Sequence, residues 1–305
     1  MPEPRLAVVG AGPVGTLIAA ALAHGGRRFQ WVVRNPRRRT ELDSLVLQLP
    51  EGGSEISLDG VEFLPSVERV NPYATVVVAV KGHQIKAVLD LAGPRSDVLV
   101  VANGLLEGEY MLGLLYGGAI LRSGALVTSK KNELFIGSQQ DGPLPVELAR
   151  LLSAPFVYTE AIPNIRELMW HKLALNCIVN PLTALLDCDN GELLGRLHGP
   201  LVQGLLRELE AVIQAAADSR FREPSRMELL AETKQLLQAT RTNSSSMRED
   251  LSAGRETEVS ALNLAVSEYG RSLGIACPVN ELLGRMIILL AGRRTHTQQA
   301  ANNGP

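Results

Sequence analysis

Aromatic side chains are scarce in this 305-residue chain, with Phe, Trp and Tyr together at 4 %. Few ring faces are therefore on offer for stacking nucleic-acid bases. Neither sign of charge is in excess, since the formal net charge is -2. That balance gives no case for nucleic acid, and none is expected as a partner. Cysteine is rare: Cys177, Cys188 and Cys277 are an odd number without the paired spacing of a metal site. No metal is expected, and free thiols in a reducing cytoplasm account for all three. Long apolar runs are missing as well. The longest near the C-terminus, Met286 to Gly292, falls far short of the roughly 20 residues that span a bilayer. No membrane partner is expected, and the early Gly-rich turn reads as a folded start rather than a cleavable leader. No internal repeat is evident.

What is present is ordinary for a globular enzyme: 46 % hydrophobic and 20 % charged residues. A chain of 305 residues exceeds the usual size of one core, so two domains are expected. Leu6 to Val9 is a short apolar run suited to a strand buried on both faces. It leads directly into Gly10-Ala11-Gly12-Pro13-Val14-Gly15, and a helical stretch follows from Val14 to His24. Strand, G-x-G-x-x-G and helix in that order form the dinucleotide fingerprint in its confirming context. Gly10 permits the tight turn, Gly12 lets a pyrophosphate approach the backbone, and Gly15 lets helix and strand pack closely. Pro13 suits the first helical turn, where its missing N–H costs nothing.

The second strand, Phe29 to Val33, ends at Arg34, with Arg37, Arg38 and Arg39 close behind. A NAD enzyme usually places a carboxylate there to hold the ribose hydroxyls. A guanidinium instead binds a 2′-phosphate through two oriented N–H groups, which predicts NADP(H). The competing reading is a solvated basic turn. Further strands are predicted from Thr75 to Val80, stopping at Lys81-Gly82-His83-Gln84, and from Val98 to Val101, stopping at Ala102-Asn103-Gly104. Ligands lie beyond the carboxyl ends of such strands, so Lys81, Gln84 and Asn103 are candidate cofactor or substrate contacts. His83 reads as a loop residue rather than a catalyst. Ala119 to Thr128 and Glu133 to Ile136 read as closing strands of unsettled order.

After about residue 165 the pattern becomes helical, with a border expected near Ile162 to Arg166. The expected architecture is α/β: a Rossmann-type dinucleotide-binding domain over 1–164, an all-α domain over 165–292, and a disordered tail over 293–305. Helices are predicted over Pro200 to Ala217, Ser225 to Ala239, Glu256 to Leu273 and Val279 to Leu290. The helix opening the second domain carries Lys172, Asn176 and Asn180 along one face and is expected to run unbroken to Pro181. Its other positions are apolar. One amine and two carboxamides could grip a carbonyl and a carboxylate in a cleft between the domains; the alternative is a snorkelling Lys and two amides serving nearby backbone. Thr242 to Met247 is small and polar, and a helix cap is its plain meaning. Glu256 and Glu258 could be ordinary favourable charges in a first helical turn.

Together these features resemble the ketopantoate reductase (2-dehydropantoate 2-reductase) family. The resemblance rests on Gly10 to Gly15, Val80-Lys81-Gly82-His83-Gln84, Asn103-Gly104, Trp170 to Ala184, Asn243 to Met247 and Thr257-Glu258, in the family's order over nearly the whole chain. It implies NADPH-dependent reduction of 2-oxopantoate to (R)-pantoate, on the way to pantothenate and coenzyme A. Lys172 is then the catalytic lysine and Glu258 the carboxylate that holds the substrate hydroxyl. Asn103, Asn176, Asn180, Asn243 and Ser246 match substrate contacts. Gly10, Ala11, Gly12, Pro13, Val14, Gly15, Arg34, Lys81, Gln84 and Asn103 fall on the cofactor side. Ala102 stands where the family commonly has Gln, which bears on the particular 2-oxo acid. Burial should lower the Lys172 pKa and Glu258 should oppose this, with a balance that sequence does not set. Two other readings stay open: an NADPH-dependent reductase of another branched 2-oxo acid, and a non-catalytic NADPH sensor. Retention of both Lys172 and Glu258 speaks against the sensor. A homodimer stands open beside a monomer.

Overall fold

The fold was read from a computed structural model, which describes residues 6–93, 97–122, 125–128, 132–140, 143–217 and 222–302. Contacts divide the chain into two compact units: Met1–Ala102 with Leu106–Ile165, and Asn103–Leu105 with Arg166–Pro305. The excursion that gives Asn103–Leu105 to the second unit is not foreseen by any composition change.

The first unit contains, in order, β1 (Leu6–Val9), α1 (Pro13–His24), β2 (Phe29–Val32), α2 (Pro36–Glu41), β3 (Val46–Leu49), β4 (Gly52–Glu55) and β5 (Val61–Leu64). It continues through β6 (Thr75–Val78), α3 (Gly82–Ala92), β7 (Val98–Val101), β8 (Met111–Tyr116), β9 (Ala119–Arg122), β10 (Ala125–Thr128), β11 (Asn132–Ser138), α4 (Val146–Leu152) and β12 (Val157–Ala161). The main sheet has eight strands in the order β12-β11-β8-β7-β6-β1-β2-β5. Neighbours from β5 through β8 are all parallel. β11 then enters antiparallel to β8 and parallel to β12. All four residues of β1 are buried, so its sequence shows no polar alternation. Helix α1 buries Leu17 to Leu22. The chain leaves β1 for β2 on one side and later fills β6 on the other, so the strand order reverses at β1. The Gly-rich turn follows β1 at that switch point, where open α/β sheets bind ligands.

Two expectations are corrected here. Ala119 to Thr128 does not close the main sheet. Its two strands join a separate sheet, β4-β3-β10-β9, in which β3 is short and apolar but for Gln48 and β4 is Gly-rich and polar with little strand signal. His83 is not a loop residue; it lies exposed in the first turn of α3.

The second unit is built on α5 (Ile165–Leu186), α6 (Pro200–Ala216), α7 (Arg226–Ala239), α8 (Ser246–Ser252), α9 (Asn263–Ser272) and α10 (Pro278–Asn302). Helix α5 does not stop at Pro181 but carries it inside a 22-residue run. Glu256 to Leu262 is not helical, and α9 begins only at Asn263. The expected tail is helical through Asn302, in keeping with its Ala, Gln and Arg content. Among the described residues no helix is long and apolar enough to cross a membrane.

Candidate active site

The three glycines of the first turn are held there for different reasons. Gly10 has φ +117, and a Cβ on it would lie 2.3 Å from the Ala79 carbonyl oxygen. A Cβ on Gly15 would lie 2.3 Å from the Gly10 oxygen, so helix α1 could not settle on β1. A Cβ on Gly12 would meet nothing within 4 Å. Protein packing thus demands two of the glycines, while the third borders open space. Gly12 flanks the N-terminus of α1, with Pro13 in the first turn. The free N–H groups and positive end of that helix suit an anion, and the missing Cβ leaves room for a diphosphate.

Beyond β2 the four arginines separate. Asn35 caps α2 by accepting from the amides of Arg37 and Arg38. Arg38 donates from Nε to the Ala11 carbonyl at 3.1 Å and pairs with Glu41 at 2.7 Å. Arg39 pairs with Asp43 and stands 3.5 Å over the Phe63 ring. Arg34 and Arg37 are exposed. The basic turn is therefore half structural. Lys81 precedes α3 as its capping residue, and Gln84 is in that helix's first turn, both partly buried at the end of the β6 segment.

In the second unit, three residues distant in sequence, Asn103, Lys172 and Glu258, converge. Asn103 Nδ2 donates to Glu258 Oε2 at 3.0 Å across 155 positions. This is possible because Gly104, at φ +114, lies against Ala261, and Leu105 N–H donates to the Ala261 carbonyl at 2.9 Å. Glu258 is within electrostatic reach of Lys172. Burial pulls the Lys172 pKa down from 10.5 to about 8, and Glu258 raises it by less. The stripping of water from the ammonium thus outweighs the attraction of one carboxylate. Such an amine is poised to give up a proton near neutral pH. One and two turns further along the same face of α5 stand Asn176, half-buried, and Asn180, 8 % exposed. Among the described residues neither carboxamide has a hydrogen-bond partner. Two carboxamides without protein partners on one face remain available to a polar ligand.

The small polar patch does cap a helix, through Ser245, whose Oγ accepts from the Arg248 amide at 3.2 Å. The Ser245 and Thr183 hydroxyls share a hydrogen bond at 2.7 Å, and the Thr183 oxygen also lies 3.1 Å from the Asn180 carbonyl oxygen. The patch is thereby tied to the end of α5. Asn243 and Ser246 flank the cap and are exposed.

Residues that sequence reasoning missed hold this helix in shape. Pro181 has no N–H to give the Cys177 carbonyl, one turn earlier. Asn263 Nδ2 fills the place, donating to that carbonyl at 2.9 Å and to Asn280 Oδ1 at 3.0 Å. Asn280 Nδ2 donates to Glu208 at 2.9 Å, and Glu208 also accepts the amides of Val279 and Asn280 at the start of α10. A proline inside a buried helix was the available signal. It implies a compensating donor without saying which residue supplies it.

Comparison with known proteins identifies the family and the fold. The family model described as ketopantoate reductase PanE/ApbA matches residues 6–133, and its C-terminal counterpart matches residues 164–291. A 2-dehydropantoate 2-reductase from Vibrio cholerae serotype O1 is 30 % identical over 299 residues, covering 93 % of this chain and 96 % of the relative. A PanE/ApbA family ketopantoate reductase from Ralstonia eutropha JMP134 superposes with TM-score 0.79 at 24 % identity, over 96 % of this chain and 100 % of that one. D-mandelate dehydrogenase, solved with NADH and anilino(oxo)acetate, superposes with TM-score 0.81 at 19 % identity over 95 % and 99 %. The structures establish the shared fold, and the family models with the curated relative establish descent: this chain is an oxidoreductase of the ketopantoate reductase family.

Proposed function

We propose that the chain reduces 2-oxopantoate to (R)-pantoate with NADPH, supplying pantothenate and coenzyme A synthesis. The observation that carries this reading is the Lys172 ammonium, its pKa drawn down to about 8, beside a Glu258 carboxylate that Asn103 holds. The turn from Gly10 through Ala11, Gly12, Pro13 and Val14 to Gly15 fits a dinucleotide, since Gly12 alone faces open space. Arg34 takes the 2′-phosphate: it is exposed, and among the described residues no carboxylate pairs with it. Lys81 and Gln84 complete the cofactor side. When bound, the reduced nicotinamide supplies a hydride to the C2 carbonyl. Lys172 meets the negative charge that grows on that oxygen and gives it a proton. Glu258 accepts from the substrate hydroxyl, and Asn103 keeps the carboxylate turned toward it. Asn176 and Asn180 offer amide N–H groups to the substrate carboxylate, and Asn243 and Ser246 close the polar face. The gain from such placement is one of proximity and orientation.

Steady-state assays of 2-oxopantoate with NADPH and NADH, on the wild type, Lys172→Ala and Arg34→Ala, test the reading. Lys172→Ala should lose on the order of 10²-fold or more in kcat. Arg34→Ala should weaken NADPH and narrow its preference over NADH. Near-normal turnover without Lys172 places the acid elsewhere. A panel of 2-oxo acids decides the substrate.

A further inference from the structure

In a trans peptide the C=O and N–H point to opposite sides of the chain. Holding the carbonyl of one peptide therefore aims its N–H. Two successive peptides of the Gly-rich turn are held in this way. Trp31 Nε1 donates to the Gly10 carbonyl at 2.9 Å, and Arg38 Nε donates to the Ala11 carbonyl at 3.1 Å. The N–H groups of these same peptides belong to Ala11 and Gly12, and among the described residues neither has an acceptor.

The two donors are themselves fixed. Trp31 is fully buried and stacks on Phe63, with ring centroids 5.5 Å apart and planes 28° apart. Arg39 covers the Phe63 ring at 3.5 Å. Arg38 projects from the Asn35-capped start of α2, is braced by Glu41, and leaves its side chain 16 % exposed. Its Nη2 is sealed from solvent with no partner, a cost the fold accepts to keep Nε on the turn.

We propose that Trp31 and Arg38 are positioning residues for the cofactor: they grip the carbonyl side of the Gly-rich turn and aim the Ala11 and Gly12 N–H groups at a dinucleotide diphosphate. This rests on the reading of the turn as the dinucleotide site. With the clamp in place the turn needs no reordering when the anion arrives, and the dipoles are set in advance. Freeing one peptide restores backbone entropy that binding must remove again, so each lost donor weakens the dinucleotide by about fivefold to tenfold.

Calorimetric titration of the full chain with NADP(H) and with adenosine 2′-monophosphate, which lacks the diphosphate, tests the clamp. Trp31→Phe keeps the ring stack without the N–H, and Arg38→Met keeps the stem without the donor. Both should weaken NADP(H) by about fivefold to tenfold and leave adenosine 2′-monophosphate unchanged. If Trp31→Phe does not fold, Arg38→Met, on the rim of the unit, decides alone. Unchanged NADP(H) affinity, or equal weakening of both ligands, overturns the clamp. A wild type that binds neither NADPH nor NADH overturns the dinucleotide reading instead.

Discussion

Replacing Asn263 by Leu should destabilise the helical unit, and the loss should depend on Pro181. The side chain is fully buried, and its Nδ2 serves two acceptors, the Cys177 carbonyl and Asn280 Oδ1. Each acceptor stripped of its donor costs about 1–3 kcal/mol. Removing the partnerless Asn263 Oδ1 returns part of this. The net expectation is a loss of about 2–4 kcal/mol. Pro181→Ala restores a backbone N–H to the Cys177 carbonyl, which has two lone pairs and accepts both donors. In that background Asn263→Leu orphans one acceptor instead of two, so its cost should fall by about 1 kcal/mol. The assay is a double-mutant cycle by urea denaturation, followed by Trp170 fluorescence in a Trp31→Phe chain so that only the helical unit reports. Effects of proline on the unfolded chain cancel around the cycle. Equal cost of Asn263→Leu in both backgrounds refutes the view that Asn263 substitutes for the missing proline N–H.

Further outcomes are expected. With Lys172 titrating at about 8, the acid form is present below that pH, so kcat/KM should hold to about 8 and fall roughly tenfold per unit above it; a flat profile to pH 9.5 refutes the assignment. Gly12→Ala should leave the melting temperature of the ligand-free chain unchanged and lower dinucleotide affinity more than tenfold, because its Cβ meets only open space. Gly15→Ala, with a Cβ 2.3 Å from the Gly10 oxygen, should instead lower stability by about 1–3 kcal/mol or more in a thermal melt. Glu208→Gln removes one carboxylate acceptor from the three N–H groups it receives, and urea titration should show a loss of about 1–3 kcal/mol.

Much of this protein was legible in one dimension because its signals are local. Leu6 to Val9 is apolar throughout since a central parallel strand is covered on both sides, and the Gly-rich turn must follow it directly to serve the helix behind. The four-residue spacing of Lys172, Asn176 and Asn180 survives intact because the helix period alone puts them on one face. Local signals misled where long-range contacts decide. Pro181 looks like a stop, yet the helix continues because Asn263, 86 positions away from Cys177, supplies the hydrogen bond that proline cannot. Glu258 looks like the start of a helix, yet the chain there is irregular and bonded to Asn103.

Sequence by itself determined the β–turn–α order, the family and the identities of the groups on offer. Only the tertiary structure decided which of them meet and in what state of charge. Asn103 was open to either a cofactor or a substrate role by spacing; packing of Gly104 on Ala261 joins it to Glu258 in the second unit. The Lys172 pKa depended on two opposed effects of unknown size, and burial outweighs the carboxylate. Both results depend on how many protein atoms replace water around a group. That number is a property of the packed chain in space, and no periodicity along the sequence encodes it.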